Sequence, residues 1–108
     1  MEILDYYTEG GKNLIKEYIS SLPVPERTYG YGIRHKIIRE GLKAFEGLDI
    51  RQLFGKLWEI KFFSNRIMYI IVDSDAVHFL HACKKQKGKA EKFELSKAIA
   101  RAKERDLL

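Results

Sequence analysis

The chain holds one cysteine in 108 residues, Cys83, so no disulfide can close within it, and a reducing compartment suits it. It has two prolines, Pro23 and Pro25, and one tryptophan, Trp58. No run approaches the roughly 18 apolar residues of a membrane span, so no membrane partner is expected. The opening Met-Glu-Ile-Leu-Asp-Tyr-Tyr has neither a basic nor an apolar leader region, so no secretion signal is expected and the location read here is cytoplasmic. Nothing points to a cofactor. His78 and His81 lie three apart and point to opposite faces of a strand, so they are not a zinc pair, and no metal is expected.

What is present is a folding composition, 45% hydrophobic and 12% aromatic. The length bounds it to a single domain, residues 1–108. The net charge of +5 is unevenly spread. Residues 1–26 carry −3, leaving +8 for the remainder. That asymmetry favours an anionic partner for the C-terminal part, although many small proteins are basic for no specific reason.

The pattern predicts an α+β fold. A first short strand spans Ile3 to Tyr7 and a helix Asn13 to Ser21, which Pro23-Val24-Pro25 breaks. A second helix runs from Glu26 to Glu46, with Tyr29, Ile33, Ile37, Leu42 and Phe45 as its stripe and Gly47 as its cap. Three strands follow, Leu57–Phe63, Arg66–Asp73 and Ala76–Cys83. A basic terminal helix, Lys89 to Asp106, closes the chain with Leu95, Ala98, Ile99 and Ala102 inward. The expected product is a small antiparallel sheet of about four strands, with a helical hairpin on one face and a C-terminal helix.

A Ser64-Asn65 loop would pair Phe63 with Arg66 and Lys61 with Met68. Trp58, Ile60, Phe62, Ile67, Tyr69 and Ile71 then share the face toward the helices. Lys61 and Arg66 share the opposite face with Met68, Ile70 and Val72, and a Ser74-Asp75 turn would add Val77, Phe79, His81 and Cys83. Lys61, Arg66 and His81 converge in this arrangement, beside an open apolar patch of a kind that a partner covers.

These strands carry a resemblance. Leu57-Trp58-Glu59-Ile60-Lys61, Arg66-Ile67-Met68-Tyr69 and Phe79-Leu80-His81-Ala82-Cys83-Lys84-Lys85-Gln86-Lys87, followed by a charged helix, look like the RelE/ParE toxin superfamily. They look most like its HigB-type, phage-derived branch. The match covers residues 53–105 well and the N-terminal half in pattern only. The chain departs from the branch where Gln86-Lys87-Gly88-Lys89 replaces a threonine-containing tail, and its first strand lacks a tryptophan.

The resemblance implies a toxin of a type II toxin–antitoxin system: an mRNA interferase, a metal-independent endoribonuclease acting on messenger RNA at the ribosome. It also implies a HigA-type helix-turn-helix antitoxin as partner. Cleavage through the ribose 2′-OH needs a base, an acid and fixed cations around the pentavalent phosphate. Arg66 fits the phosphate role through its planar fork. It could instead pair with Glu59. Lys61 is a candidate base or charge neighbour, or an ordinary solvated lysine. Lys85 is a candidate acid, and His81 a proton shuttle or a packed core histidine. Lys84, Lys87, Lys89 and Lys56 are candidate RNA-backbone contacts, or solvated loop charges. Two readings of other classes stay open: a gyrase inhibitor like the ParE branch, and an RNA-binding module without chemistry.

Overall fold

The computed structural model describes residues 1–108. Asn13 starts the first helix, α1 (Leu14–Ser20), because its side-chain oxygen accepts from the Ile15 and Lys16 amides. The second helix, α2 (Val24–Glu40), begins two residues earlier than the prolines suggest. Pro25 sits inside its first turn, where no amide donor is needed. It also ends sooner than expected. Gly41 takes φ +69 and stops it, and a 3₁₀ segment follows over Gly41–Gly47. Ile33, Ile37 and Phe45 are buried as expected, whereas Tyr29 and Leu42 stay exposed. Gly30 lets α2 approach the sheet. A Cβ there would lie 3.0 Å from Ile19 and 3.4 Å from the Phe62 ring.

Five strands form one sheet: β1 (Glu2–Asp5), β2 (Asp49–Phe54), β3 (Leu57–Phe62), β4 (Asn65–Asp73) and β5 (Ala76–Lys84). Their order is β1-β5-β4-β3-β2. β1 pairs parallel to β5, and the other pairs are antiparallel. The edge strand β2 was not expected from the sequence. Its Asp-Ile-Arg-Gln-Leu-Phe is half polar and mostly exposed.

The β3–β4 loop is Phe63-Ser64, one residue earlier than expected, so Phe62 faces Asn65 and Lys61 faces Arg66. The cause is Asn65. It is fully buried, accepts from Tyr18 at 2.6 Å, and donates to Glu26 at 2.8 Å and to the Phe62 carbonyl at 3.2 Å. A polar side chain satisfied on three sides is costly to expel into a loop. The slip moves cross-strand pairs by two residues, so the facing of every side chain survives.

One core lies between the sheet and α1/α2. Ile15, Ile19, Ile37, Ile60, Ile67 and Phe79 are fully buried in it, each contributing about 1.5–3 kcal/mol. The pair Arg34–Asp5, bidentate at 2.7 and 2.8 Å, is buried at its edge. On the other face α3 (Lys89–Glu104) covers Leu57, Met68, Ile70 and Leu80 with Ala98 and Ala102. The terminal helix thus covers Met68 and Ile70 of the patch expected to be open, while Val72 stays exposed. A register shift between Met68 and Tyr69 pairs Tyr69 with Phe79 and turns Val77 and Phe79 into the helix-side core. They do not join the cation face as expected, and Leu80 and Ile70 pack under α3 instead. The end of α3 is tied to β1 by Arg105, which donates to the Asp5 carbonyl at 2.9 Å, and by Tyr6, which donates to Glu104 at 3.0 Å. No helix is long and apolar enough to cross a membrane.

Candidate active site

Register builds the site. Two neighbouring rows cross four strands on the α3 side of the sheet. One row is Asp49, Lys61, Arg66, Cys83, and the next is Arg51, Glu59, Met68, His81. Beyond β5, the segment Lys84–Lys87 turns toward the start of α3. Together these line a groove of about 180 Å³ in which six cations, Arg51, Lys61, Arg66, Lys84, Lys85 and Lys87, face three carboxylates, Glu59, Glu91 and Glu94.

Glu59 is the floor, only 2% exposed. Its Oε2 lies 3.0 Å from Arg51 Nε and 3.5 Å from Arg66 Nε. Neither approach is aligned as a hydrogen bond, so charge alone holds this oxygen. Arg66 donates through Nη1 to the Asn65 carbonyl at 2.9 Å. Its other terminal nitrogen makes no hydrogen bond within the chain, and its side chain is 11% exposed. Arg51 also reaches Glu91 at 3.2 Å, which links the edge strand to α3. Lys61 stands directly across from Arg66, with Asp49 3.9 Å away. Two cations in directly opposed positions repel, and here Glu59 beside Arg66 and the exposed Asp49 beside Lys61 offset part of that repulsion.

His81 does not line the groove. It sits behind Glu94, to which Nε2 is hydrogen-bonded, while Arg101 donates to Nδ1 at 2.9 Å. A guanidinium only donates, so Nδ1 is the acceptor and the neutral ring carries its proton toward Glu94. Burial, opposed by Glu94, holds the His81 pKa below its ordinary value. Cys83 is buried, and desolvation pushes its thiol up to about 12, so it is no nucleophile near neutrality.

His81, Cys83 and Glu94 bring their ligand atoms within 4.8 Å of one another. Arg101 on the imidazole, with Arg66 acting on the thiol, surrounds them with positive charge. That disfavours a cation there and marks the group as a hydrogen-bonded support for Glu94.

Of the residues singled out in the sequence, Lys61, Arg66, Lys84, Lys85 and Lys87 meet in the groove. Lys84 is partly engaged by Glu26 at 3.3 Å. Lys89 lies outside the groove lining, exposed at the first residue of α3. Lys56 belongs elsewhere: it borders an apolar recess on the opposite face with Phe45, Trp58 and Tyr69. Its place in the β2–β3 turn, pointing away from the cations, removes it from the site. Arg51, Glu91 and Glu94 were missed. Arg51 was missed together with its strand β2, in which it pairs with Glu59. Glu91 and Glu94 lie three apart, so they share one face of α3.

A family model described as phage derived protein Gp49-like (DUF891) matches residues 17–103. No curated protein matches the chain. The matched span covers every residue lining the groove and most of both cores, so the chain belongs to the Gp49-like phage-derived family, within the RelE/ParE-like toxin family.

Proposed function

We propose that the protein is the toxin of a type II toxin–antitoxin system and acts as a metal-independent, ribosome-dependent mRNA interferase of the HigB type. The observation that carries the reading is Lys61 opposed to Arg66 across β3 and β4, in a groove with four further cations. Such a pair is relieved by an anion, and a scissile phosphate is one.

In this reading Arg66 and Lys61 hold the non-bridging phosphate oxygens. Glu59 keeps the Arg66 guanidinium in place, and Arg51 on its far side adds charge. Glu94, fixed by His81, takes the proton from the 2′-OH. It suits the role better than Lys61, which this reading places on the phosphate oxygens opposite Arg66. The freed 2′-oxygen attacks phosphorus and the bond to the 5′-oxygen breaks. Lys85 supplies the proton to that leaving oxygen. The products are a 2′,3′-cyclic phosphate and a 5′-hydroxyl. Lys84 and Lys87 bind flanking phosphates. His81 thus acts by positioning Glu94. The antitoxin is a HigA-type helix-turn-helix protein, and its docking surface is a face other than the one that α3 already covers.

Induced expression without an antitoxin tests the reading. Translated messages should acquire new 5′ ends within their coding regions, mapped by primer extension, while plasmid supercoiling stays normal. Intact messages with lost supercoiling would move the protein to the gyrase-inhibiting class.

A further inference from the structure

We propose that Phe63, braced by Tyr29, is a stacking platform for one unpaired base of the RNA strand whose phosphates the groove binds. The inference rests on the RNA-cleaving reading and adds to it where a base sits.

Phe63 is the first residue of the two-residue β3–β4 loop and takes φ +53. Ser64 has no positive φ, and this is the pattern of a hairpin turn that favours glycine at the first position. A bulky side chain seldom adopts it. The ring is also 60% exposed. The residue is thus unfavourable for its turn and only partly used for packing, a combination that points to function rather than to stability.

The ring is nevertheless held. Tyr29 meets it edge-on at 5.8 Å, and Tyr29 lies nearly parallel to the buried Phe62 ring at 6.0 Å. A fixed, exposed ring loses little freedom when a base stacks on it.

Its position fits a single strand that leaves the groove. Lys61, in the groove, is two residues earlier on the same strand, about 7 Å of extended chain. The Ser64 carbonyl accepts from the Lys85 amide at 2.7 Å, and Lys84 is the cross-strand partner of Asn65. Two of the groove's lysines, Lys84 and Lys85, therefore have their backbone beside the loop that carries the ring, and cations near an aromatic ring are the pairing by which single strands are held without sequence readout. Lys84 and Lys85, which line the groove, match a strand's phosphates better than an apolar protein surface.

The test uses the full chain, a short unstructured RNA and anisotropy titrations at low salt. Phe63→Gly should weaken binding about tenfold, whereas Phe63→Trp should keep it. Phe63→Gly should melt within a few degrees of the parent, because glycine suits the turn. One abasic position in the RNA should weaken binding to the parent protein and leave binding to Phe63→Gly unchanged. A 2-aminopurine base at that position should be quenched by the parent protein, a readout that needs no variant. Equal affinity of Phe63→Gly and parent, or no position at which 2-aminopurine is quenched, would overturn the platform while leaving the groove in place. No RNA binding by the parent at all would instead overturn the RNA-cleaving reading beneath it.

Discussion

Arg66 is largely buried and leans on a buried carboxylate, so its removal has two separable consequences. An Arg at the rim of an open face would cost little stability when removed. Here Arg66→Ala leaves Glu59 with Arg51 alone, and the expected cost is about 1–3 kcal/mol. The same change should lower the cleavage rate by a hundredfold or more, on the order of losing one fixed transition-state donor. The double variant Arg66→Ala/Glu59→Gln should regain melting temperature without regaining cleavage. Recovery of both would make Arg66 a purely structural partner. Lys61 and Arg66 were legible in the sequence, because strand alternation puts both on one face and the slip of the β3–β4 loop preserves that parity. Their direct opposition was not legible, because it depends on Asn65 being drawn into the strand by Tyr18 and Glu26.

Among the elements, α3 carries the pH dependence. His81 and His78 both have pKa values lowered chiefly by burial, and each accepts from an arginine, His81 from Arg101 of α3 and His78 from Arg105 at its C-terminal cap. As pH falls through the ordinary value of 6.5, the unfolded chain takes up protons that the folded chain refuses. Stability should therefore fall from that pH downward and level off below the depressed folded values. Thermal melts of His81→Gln and the parent should converge as pH drops below 6.5. A parent melting point that rises on acidification would contradict the burial described. The segment leading into α3 carries the salt dependence. Neutralising Lys84, Lys85 and Lys87 together should flatten log affinity for RNA against log salt by roughly two units. An unchanged slope would leave these lysines merely solvated. Most elements could be read from periodicity and β-branched runs. β2 could not, because an exposed edge strand with Asp49, Arg51 and Gln52 has no apolar run, and Arg51 was missed with it. The facing of Val77 and Phe79 was also misread, because a register shift leaves no mark on alternation.

Across the whole molecule, both sheet faces are covered, one by α1 and α2 and the other by α3. At one end of the α3 side the groove gathers six of the chain's cations around three carboxylates, a local concentration of positive charge. An antitoxin is expected to bind tightly at an outer surface. Co-expression with the adjacent gene followed by a pull-down should recover a small helix-turn-helix protein at equal stoichiometry. Cleavage of translated RNA at this groove can be decided by one reconstituted reaction. Purified protein is added to ribosomes halted on a defined message, and the RNA ends are identified chemically. Cuts should fall within the reading frame, carry 2′,3′-cyclic phosphate and 5′-hydroxyl ends, and vanish with Arg66→Ala. An intact message with folded parent protein, or cuts of undiminished rate with folded Arg66→Ala, would contradict it.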